Sequence, residues 1–252
     1  MKQTPDVEAI RVDPKTGAPD LGGVGVKVSD YDKNAVEAAV QIKEKNVGSK
    51  VTAVSLGGPK LEESMKEVLA MGCDDALLLR DEKFTKADTA EKARLLAAAV
   101  KKLGDVELVL AAEESADSHS GQTGPRVAEH LGWPLLSYAT DLKFANGTVT
   151  IEREGENGIE VLEAKLPVVV TVTDALNTPR LPALMQILQA KNKPQKVMTA
   201  ADLGAPDVTV KVDRPRNVAP KSERKQQMIA GNSPEEAADN LAKLLVKDGV
   251  VS

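Results

Sequence analysis

The sequence predicts a doubly wound α/β fold, in which helices cover both faces of a mostly parallel sheet. Helix-type and strand-type patterns alternate between residues 32 and 131, as they do in chains that build such sheets. The intervening strands are short apolar runs, which is typical of strands buried on both faces. Aromatic residues make up only 2% of the 252 residues, although 42% are hydrophobic. We therefore expect a core of alanine, valine and leucine.

The elements of the first half follow from periodicity and from end signals. Val36, Ala39 and Val40 recur at helical spacing in the first helix. Glycines after two later helices, Gly72 and Gly132, are suited to ending them. The predicted order is helix 32–46, strand 51–58, helix 61–71, strand 75–80, helix 88–103, strand 106–111 and helix 123–131.

The start of the chain fits this pattern less well. Parallel β/α units need a strand ahead of each crossover helix, but no strong strand precedes the helix at 32–46. Only two short candidates occur, at 9–12 and 24–28. Either a weak strand serves, or the first strand of the sheet is lacking.

Antiparallel patterns begin at residue 134. Asn146-Gly147 separates two strand-type runs, and Asn157-Gly158 precedes another. The Asn-Gly dipeptide is the strongest short-range hairpin signal. An apolar strand follows at 166–172, and 176–195 is predicted to be a long loop with a short helix.

The end of the chain is predicted to be an arm that finishes in a helix. Residues 204–232 are rich in proline and charge and show little periodicity. Ser233 and Glu236 form a capping box around Pro234, so a helix should run from 233 to about 247. We therefore divide the chain into an α/β domain with an antiparallel extension, 1–204, and a C-terminal arm, 205–252.

Composition and charge exclude several classes of function. The chain carries 33 Lys and Arg against 38 Asp and Glu and has few rings to stack bases, so a nucleic-acid groove is not expected. No run approaches the roughly 20 apolar residues of a membrane helix, and no signal-peptide pattern opens the chain. A single cysteine, Cys73, excludes a disulfide framework. We expect a soluble cytoplasmic protein without membrane insertion.

The candidate binding site is the polar loop 117–125, which follows a buried strand and opens a helix. At this edge of an open α/β sheet, the N–H groups of a helix start attract phosphate, and glycines let it approach. The alternative is an ordinary loop that Thr123 caps, and the composition leaves both alternatives equally open. Neither common nucleotide motif is met, because the lysine of one and the glycine spacing of the other are missing. A second glycine turn, at 56–59, ends a neighbouring strand.

Side-chain catalysis is not indicated. Glu113 and Glu114 could act as an acid and a base, but adjacent residues of a strand point to opposite faces. No nucleophile, base and orienting partner occur in register. His119 and His130 have no third ligand at metal-binding spacing, so no metal is expected.

An apolar set in the 176–195 loop has two interpretations. Leu181, Leu184, Met185 and Leu188 recur at helical spacing, with lysines at 191 and 193 beyond them. Such a face usually packs on its own domain. Alternatively it is an exposed anchor for a partner, with the two lysines at its rim.

Several segments together resemble the β subunit of electron-transfer flavoprotein, in the same order and with the same spacing. The resemblance runs from Lys2 to about Asp207 and continues more loosely through the arm. It is carried by KQTPD at 2–6, RVDPKTG at 11–17, NAVEAA at 34–39, LAMGCD at 69–74, DSHSGQTGP at 117–125, LPVVVTV at 166–172 and LNTPR at 176–180.

The resemblance implies an electron-carrier subunit that pairs with an α subunit, which holds most of one FAD. It also implies AMP on this chain, or a second FAD that accepts hydride from NADH in electron-bifurcating members. Val7 would lie near the flavin of the α subunit. The implied nucleotide residues are Asp117, Ser118, Ser120, Gln122, Thr123 and Gly124 on the loop, and Ser29, Leu56 and Gly57 beside it.

The resemblance further implies three protein partners. Leu184 takes the place of the leucine with which the family docks donor dehydrogenases, of the acyl-CoA type or similar. Electrons would then pass to a quinone oxidoreductase at the membrane or to another acceptor. The arm at 205–252 would pack on the α subunit.

The sequence departs from the family pattern at several places. The family's first strand is apparently missing ahead of Lys2. Glu113-Glu114 stands where the family has a basic residue and glutamine, and negative charge there should weaken anion binding. Gly124-Pro125 resembles the bifurcating and nitrogen-fixation-linked branches, so AMP and FAD both stay open. The alternative function is a stand-alone adenine-nucleotide-binding protein, either a hydrolase or a regulator.

Overall fold

A computed structural model describes residues 1–58, 61–205, 207–208, 212, 217–220 and 226–251. Pro59 of the second glycine turn and much of the predicted arm at 204–232 lie outside these residues.

The helices are α1 (Asp30–Lys45), α2 (Leu61–Met71), α3 (Thr89–Leu103), α4 (Thr123–Leu131), α5 (Leu184–Ala190) and α6 (Pro234–Lys247). The strands are β1 (Gln3–Pro5), β2 (Arg11–Val12), β3 (Pro19–Asp20), β4 (Val26–Val28), β5 (Thr52–Leu56), β6 (Asp75–Leu79), β7 (Leu108–Ala112), β8 (Leu135–Ala139), β9 (Asp141–Ala145), β10 (Thr148–Gly155), β11 (Gly158–Lys165), β12 (Val168–Val172) and β13 (Gln195–Met198).

The predicted α/β architecture is confirmed, with parallel strands flanked by helices. These strands form two sheets of three, in the orders β7-β12-β8 and β13-β6-β5. Within the described residues, no hydrogen-bonded strand joins one sheet to the other. The expected single sheet is therefore divided into two among the described residues.

The N-terminal segment lies against strand β5 and helix α1. The ammonium group of Met1 donates to the Val54 carbonyl oxygen over 2.9 Å, and Ser55 Oγ donates to the Met1 carbonyl oxygen over 2.8 Å. The backbone N–H of Lys2 donates to Asp32 Oδ2 on α1 over 2.8 Å. These bonds bring the first residues between elements of the two sheets.

The antiparallel extension forms as predicted. Strands β9, β10 and β11 make a three-stranded meander. Asn146 and Gly147 have φ values of 51° and 73°, which is the pair of positive angles that a type I′ hairpin turn requires.

The prediction of antiparallel structure after residue 134 was wrong for two strands. Strands β8 and β12 belong to a parallel sheet, and β12 lies between β7 and β8. Every residue of β12 is buried. A valine run covered on both faces is the pattern of a central parallel strand, and this pattern outweighs the neighbouring hairpin signals. Strand β13, with residues 195–198, was also missed, because 176–195 was predicted to be a loop.

The core is built mainly from alanine, valine and leucine, as the composition predicts, with methionines between them. Phe84 is the aromatic side chain buried most deeply among the described residues, with 2% of its surface exposed. Gly72, after α2, has a φ of 134°, and a Cβ there would lie 2.8 Å from Val40 Cγ1. Glycine is therefore required at this helix end both by the backbone angle and by the packing of α2 on α1.

The last helix, α6, begins with the predicted cap. Ser233 Oγ accepts from the Glu236 N–H over 3.3 Å, and the Glu236 carboxylate accepts from the Asn232 N–H over 2.8 Å. No residue of α6 is buried. Across the part of the chain that the structure describes, no helix is long and apolar enough to cross a membrane.

Candidate functional site

The predicted binding loop lies where the sequence analysis expects it, between a buried strand and a helix start. Strand β7 ends at Ala112 and helix α4 begins at Thr123, so the loop spans residues 113–122. It leaves the carboxyl end of β7, beside the parallel strand β12. Ligands of open α/β sheets bind at this edge, because the loops there leave a crevice above the strands.

A lysine from the start of the chain organises the first part of this loop. Lys2 Nζ donates to Asp117 Oδ1 over 2.6 Å, to Ser115 Oγ over 3.1 Å and to Ser118 Oγ over 3.3 Å. Ser115 Oγ in turn donates to Asp117 Oδ1 over 2.8 Å. Burial raises the pKa of Asp117, but the hydrogen bonds from Lys2 and Ser115 outweigh it, so this pKa lies below its ordinary value.

Lys2 and Ser115 were missed as site residues. Nothing in the spacing of the sequence connects Lys2 with a loop more than a hundred residues away. The available signal was the KQTPD segment at 2–6, which marked the family resemblance without a role for its lysine. Ser115 precedes the polar run and is 9% exposed, so it was indistinguishable from a residue of the strand end.

Ser29, predicted beside the nucleotide, connects the loop to helix α1. Its side chain is fully buried, and its Oγ accepts from the Ala116 N–H over 3.2 Å. Two residues into α1, the Asp32 carboxyl group is 6% exposed and binds the Lys2 N–H. Burial raises the pKa of Asp32, against the lowering effect of the nearby N-terminal charge and the backbone N–H groups of Lys2 and Ala112.

The start of α4 has no side-chain cap. The N-cap residue is Gln122, and its side chain makes no capping hydrogen bond. The Gln122 Oε1 atom instead accepts from Arg126 Nη2 over 3.1 Å. Thr123 is the first helical residue and not the cap, so the prediction that Thr123 caps the helix was wrong. The first turn keeps the positive end of the helix dipole without a side-chain cap, which is the arrangement that attracts anions.

Gly124 has a packing reason to be glycine. A Cβ at this position would lie 2.3 Å from Thr171 Cγ2 on β12, which is inside any real contact distance. Its small size lets the first turn of α4 approach the sheet edge. Thr171 is fixed in turn, because its Oγ1 accepts from the Tyr138 N–H over 3.0 Å.

The middle of the loop carries an ion pair. His119 has a φ of 43°, and its Nδ1 lies 2.5 Å from Glu114 Oε1. The Glu114 carboxylate raises the pKa of His119. The His119 ring packs edge-on against Tyr31, with the ring centroids 6.1 Å apart.

Glu113 and Glu114 were expected to lie on a strand, but they follow its end. Strand β7 ends one residue earlier, so its alternation no longer applies. Burial raises the pKa of Tyr31, and the charges of Glu114, Asp174 and Glu113 raise it further. Burial, followed by the charges of Glu114 and Asp174, likewise raises the pKa of Glu113.

The remaining predicted nucleotide residues differ in whether they lie in the loop and whether they are hydrogen-bonded to it. Ser118 joins the lysine cluster, and Ser120 is half-buried in the loop. The Gly57 N–H donates to the Leu79 carbonyl oxygen at the end of the other parallel sheet. Val7 lies in a short 3-10 turn, Val7–Ala9. In the described ranges, no hydrogen bond connects Val7, Leu56 or Gly57 with the loop.

The second candidate site is an exposed apolar surface, here called the apolar patch, on and before helix α5. The alternative that these side chains pack on their own domain is wrong, since only Ala190 of α5 is buried. The patch consists of Leu181, Leu184, Met185, Ile187 and Leu188, with 94%, 71%, 63%, 45% and 47% of their surfaces exposed.

The two lysines predicted at the rim of the patch, Lys191 and Lys193, differ in their exposure and their contacts. Lys191 is exposed. Lys193 Nζ instead donates to the carbonyl oxygens of Leu69 and Cys73, over 2.8 and 2.6 Å. It therefore binds the C-terminal end of α2, where free carbonyls and the helix dipole favour a cation, and the prediction that it borders the patch was wrong.

The loop has the groups that a nucleotide phosphate requires. It offers an uncapped helix start, a close approach at Gly124, hydroxyl groups at Ser118 and Ser120, and a lysine whose charge offsets Asp117. A charged Glu113 would oppose an anion at this place. The donor set fits a phosphate group. Among the described residues, no three His, Cys, Asp or Glu side chains gather into a metal-binding group.

Comparison with known proteins gives a consistent result. The electron transfer flavoprotein domain model matches residues 22–203. The chain is 34% identical over 255 residues to the caffeyl-CoA reductase–Etf complex subunit CarD of Acetobacterium woodii, covering 99% of this chain and 97% of that protein. It is 37% identical over 251 residues to the electron transfer flavoprotein subunit beta of Thermoanaerobacterium thermosaccharolyticum, covering 97% and 95%. For the subunit beta of Clostridium acetobutylicum, the identity is 38% over 203 residues, covering 81% and 78%.

Proposed function

The chain belongs to the electron-transfer flavoprotein β subunit family, and on this premise we propose that it is the β subunit of a heterodimeric electron carrier. In this proposal an α subunit holds most of one FAD, and this chain binds AMP or a second FAD. The flavin supplies the redox chemistry when it is bound. The protein contributes binding, orientation and the surfaces through which electron donors and acceptors approach.

The observation that carries the nucleotide proposal is the uncapped start of α4 at the carboxyl edge of β7 and β12. We place the phosphate there, at the N–H groups of Thr123 and Gly124. Ser118 and Ser120 supply hydroxyl groups, and Asp117 is held in place by Lys2. Ser29 holds the loop against α1 through Ala116. Gln122 is the last residue of the loop before helix α4.

The neighbouring turns supply the remaining contacts in this proposal. Leu56 ends strand β5 and Gly57 follows it, and in this proposal both approach the base or ribose from the second parallel sheet. Val7, in the turn after β1, faces the flavin of the α subunit. The C-terminal helix α6 has no buried residue, which suits an arm whose apolar side chains pack on that subunit.

The apolar patch is the proposed docking surface for electron donors. Leu184 is 71% exposed and begins helix α5, so it can enter a pocket on a partner without unfolding its own domain. A small apolar anchor gives affinity while the rest of a transient interface stays loose. One relative is by name a subunit of a caffeyl-CoA reductase–Etf complex. This supports a dehydrogenase or reductase of CoA esters as the donor, and a quinone oxidoreductase or another protein as the acceptor.

Co-expression with an electron-transfer flavoprotein α subunit of the same organism tests the proposal. We expect a yellow 1:1 complex with flavin absorption bands. Denaturing the complex and counting the released FAD and AMP distinguishes the two nucleotides: one FAD with one AMP, or two FAD. A colourless monomer that hydrolyses ATP would contradict the proposal and favour a stand-alone nucleotide hydrolase. A colourless monomer that binds AMP without hydrolysis would favour a regulator.

A further inference from the structure

We propose that Arg180 is a positioning residue that holds the apolar patch in its exposed, docking-ready place by fixing the preceding segment to helix α1. This preceding segment, residues 174–180, is called the stem below. The inference rests on the proposed function, since it assigns a role within the proposed docking surface. Its evidence is a set of contacts that the sequence analysis did not anticipate.

Arg180 binds two carboxylates of α1 with its whole guanidinium group. Its Nε and Nη2 donate to the two oxygens of Glu37 over 2.8 and 3.0 Å. Its Nη1 and Nη2 donate to the two oxygens of Glu44 over 2.6 and 3.1 Å. Paired bonds of this kind fix a direction as well as a distance, because the guanidinium is planar and its donors are rigid.

The backbone of the stem is held by the same carboxylate. The Arg180 N–H donates to Glu37 Oε2 over 3.1 Å. Glu37 is 4% exposed, so this contact lies in the protein and not on its surface. Burial raises the pKa of Glu37, but the hydrogen bonds from Arg180 and Gln41 outweigh it and leave this pKa below its ordinary value. The carboxylate is thus charged at neutral pH.

A second attachment lies three residues earlier. Asn34 Nδ2 donates to the Asn177 carbonyl oxygen over 2.7 Å, and Asn177 Nδ2 donates to the Asn34 carbonyl oxygen over 3.0 Å. Asn34 Nδ2 also donates to the Asp174 carbonyl oxygen over 3.2 Å. The stem is therefore bound to α1 at both ends.

The segment between the stem and α5 has few contacts of its own, although α5 lies against α2. Leu181 follows Arg180 directly and is 94% exposed. The Ala183 N–H is bound locally, by Gln186 Oε1 over 2.7 Å. The next fixed point along the chain is Ala190, which is fully buried. The position of Leu184 thus depends on the stem before it, on the packing of α5 against α2, and on Ala190 after it. Fixing a loop before binding lowers the entropy that binding must remove.

The experiment uses the flavin-loaded α/β complex with three substitutions. Arg180→Gln removes the charge and most of the donors, and Arg180→Lys keeps the charge but cannot form the paired bonds. Arg153→Gln is the matched control, since Arg153 forms an ion pair with Glu160 on the antiparallel extension. Hydrogen–deuterium exchange reports the order of residues 181–189. Stopped-flow mixing with a purified acyl-CoA dehydrogenase, reduced by its acyl-CoA substrate, reports the second-order rate constant of flavin reduction.

We expect Arg180→Gln to speed exchange at 181–189 and to lower the second-order rate constant by roughly three- to tenfold, as the loss of a pre-ordered loop predicts. Flavin content and the rate at saturating donor should stay unchanged, Arg180→Lys should lie between, and Arg153→Gln should match the parent. Unchanged exchange in Arg180→Gln, or loss of flavin from it, overturns the inference. A third outcome separates the two proposals. If exchange is faster in Arg180→Gln but neither Arg180→Gln nor Leu184→Ala changes the second-order rate constant, the docking function is contradicted and the positioning role stays supported.

Discussion

Lys2 Nζ lies 2.6 Å from Asp117 Oδ1, although 115 residues separate them along the chain. This ion pair joins the first residues of the protein to the proposed nucleotide loop. Its partners are partly shielded, with 38% of the lysine and 25% of the aspartate side chain exposed. The loop conformation therefore depends on a residue outside the loop.

Replacing Asp117 with asparagine should lower the free energy of unfolding by about 0.5–1 kcal/mol at pH 7, as is usual for a partly exposed pair. The folded pKa of Asp117 is below 3.8, so its contribution is complete above the unfolded pKa and disappears as the pH falls through the folded one. Urea unfolding from pH 7 to the lowest pH at which the chain stays folded should show the two proteins converging. Asp141→Asn, at the exposed pair with Lys143, is the control. A difference that grows towards low pH would disprove the assignment.

The close approach of Gly124 to Thr171 predicts that a substitution of Thr171 restores the stability lost by a substitution of Gly124. Gly124→Ala should destabilise the protein by about 1–3 kcal/mol, because its Cβ would overlap Thr171 Cγ2. Thr171→Ser removes that methyl group and keeps the oxygen that binds the Tyr138 N–H. The double variant should therefore recover most of the loss, as measured by chemical unfolding of both single variants and the double variant. Additive losses would show that the contact is not the cause.

Charge at Ser120 should control nucleotide binding if phosphate lies at the start of α4. Ser120→Glu adds a negative charge to the loop, whereas Ser120→Gln adds a side chain of similar size without charge. We expect the glutamate variant of the α/β complex to lose the nucleotide of this chain and the glutamine variant to keep more of it. Counting FAD and AMP released on denaturation is the measurement. Equal nucleotide contents in the two variants would contradict a phosphate at this position.

Leu184→Ala should slow electron transfer without changing stability. Its side chain is 71% exposed, so the free energy of unfolding should stay within about 0.5 kcal/mol of the parent. Loss of a docking anchor should lower the second-order rate constant with a reduced donor dehydrogenase by roughly tenfold or more, while flavin content is retained. Val47→Ala, at a fully exposed apolar residue on another surface, is the control. A loss of flavin or of stability in Leu184→Ala would show that Leu184 is part of the core.

Substitution of Lys193 should lower the stability of the protein, whereas substitution of its neighbour Lys191 should not. Lys193→Gln removes the hydrogen bonds to Leu69 and Cys73 at the end of α2, and we expect a loss of about 1 kcal/mol in the free energy of unfolding. Lys191→Gln, at an exposed side chain, should leave stability unchanged. Thermal and urea unfolding of both variants are the measurements. Equal stability would mean that the Lys193 contacts contribute nothing.

Most helices and the Asn146-Gly147 turn could be predicted, because their signals are local, whereas the turn between β10 and β11 lies at residues 156–157, one residue before the predicted Asn157-Gly158 pair. Asp88 caps α3 through the Glu91 N–H, and Ser233 caps α6 through the Glu236 N–H, each three residues away. The Asn146-Gly147 turn depends only on its own backbone angles. The place of β12 between β7 and β8 could not be predicted from the same signals, since it depends on which strands its two edges meet.

The candidate site divides in the same way. The sequence located the loop before α4 and singled out Leu184, because polar residues, glycines and apolar spacing are visible in a short window. It left open whether Thr123 caps the helix, and it assigned Glu113 and Glu114 to opposite faces of a strand. The exposed patch and the uncapped helix start were decided by packing.

By itself, the sequence determined the α/β class, most of the helices and the family to which the chain belongs, since these are written in local patterns and in segments of fixed spacing. Only the tertiary structure brought Lys2 to Asp117 and Arg180 to Glu37 and Glu44. Each of these pairs joins residues more than a hundred positions apart. No window of the sequence contains both partners, and their meeting depends on how helices and strands pack once the apolar core has formed.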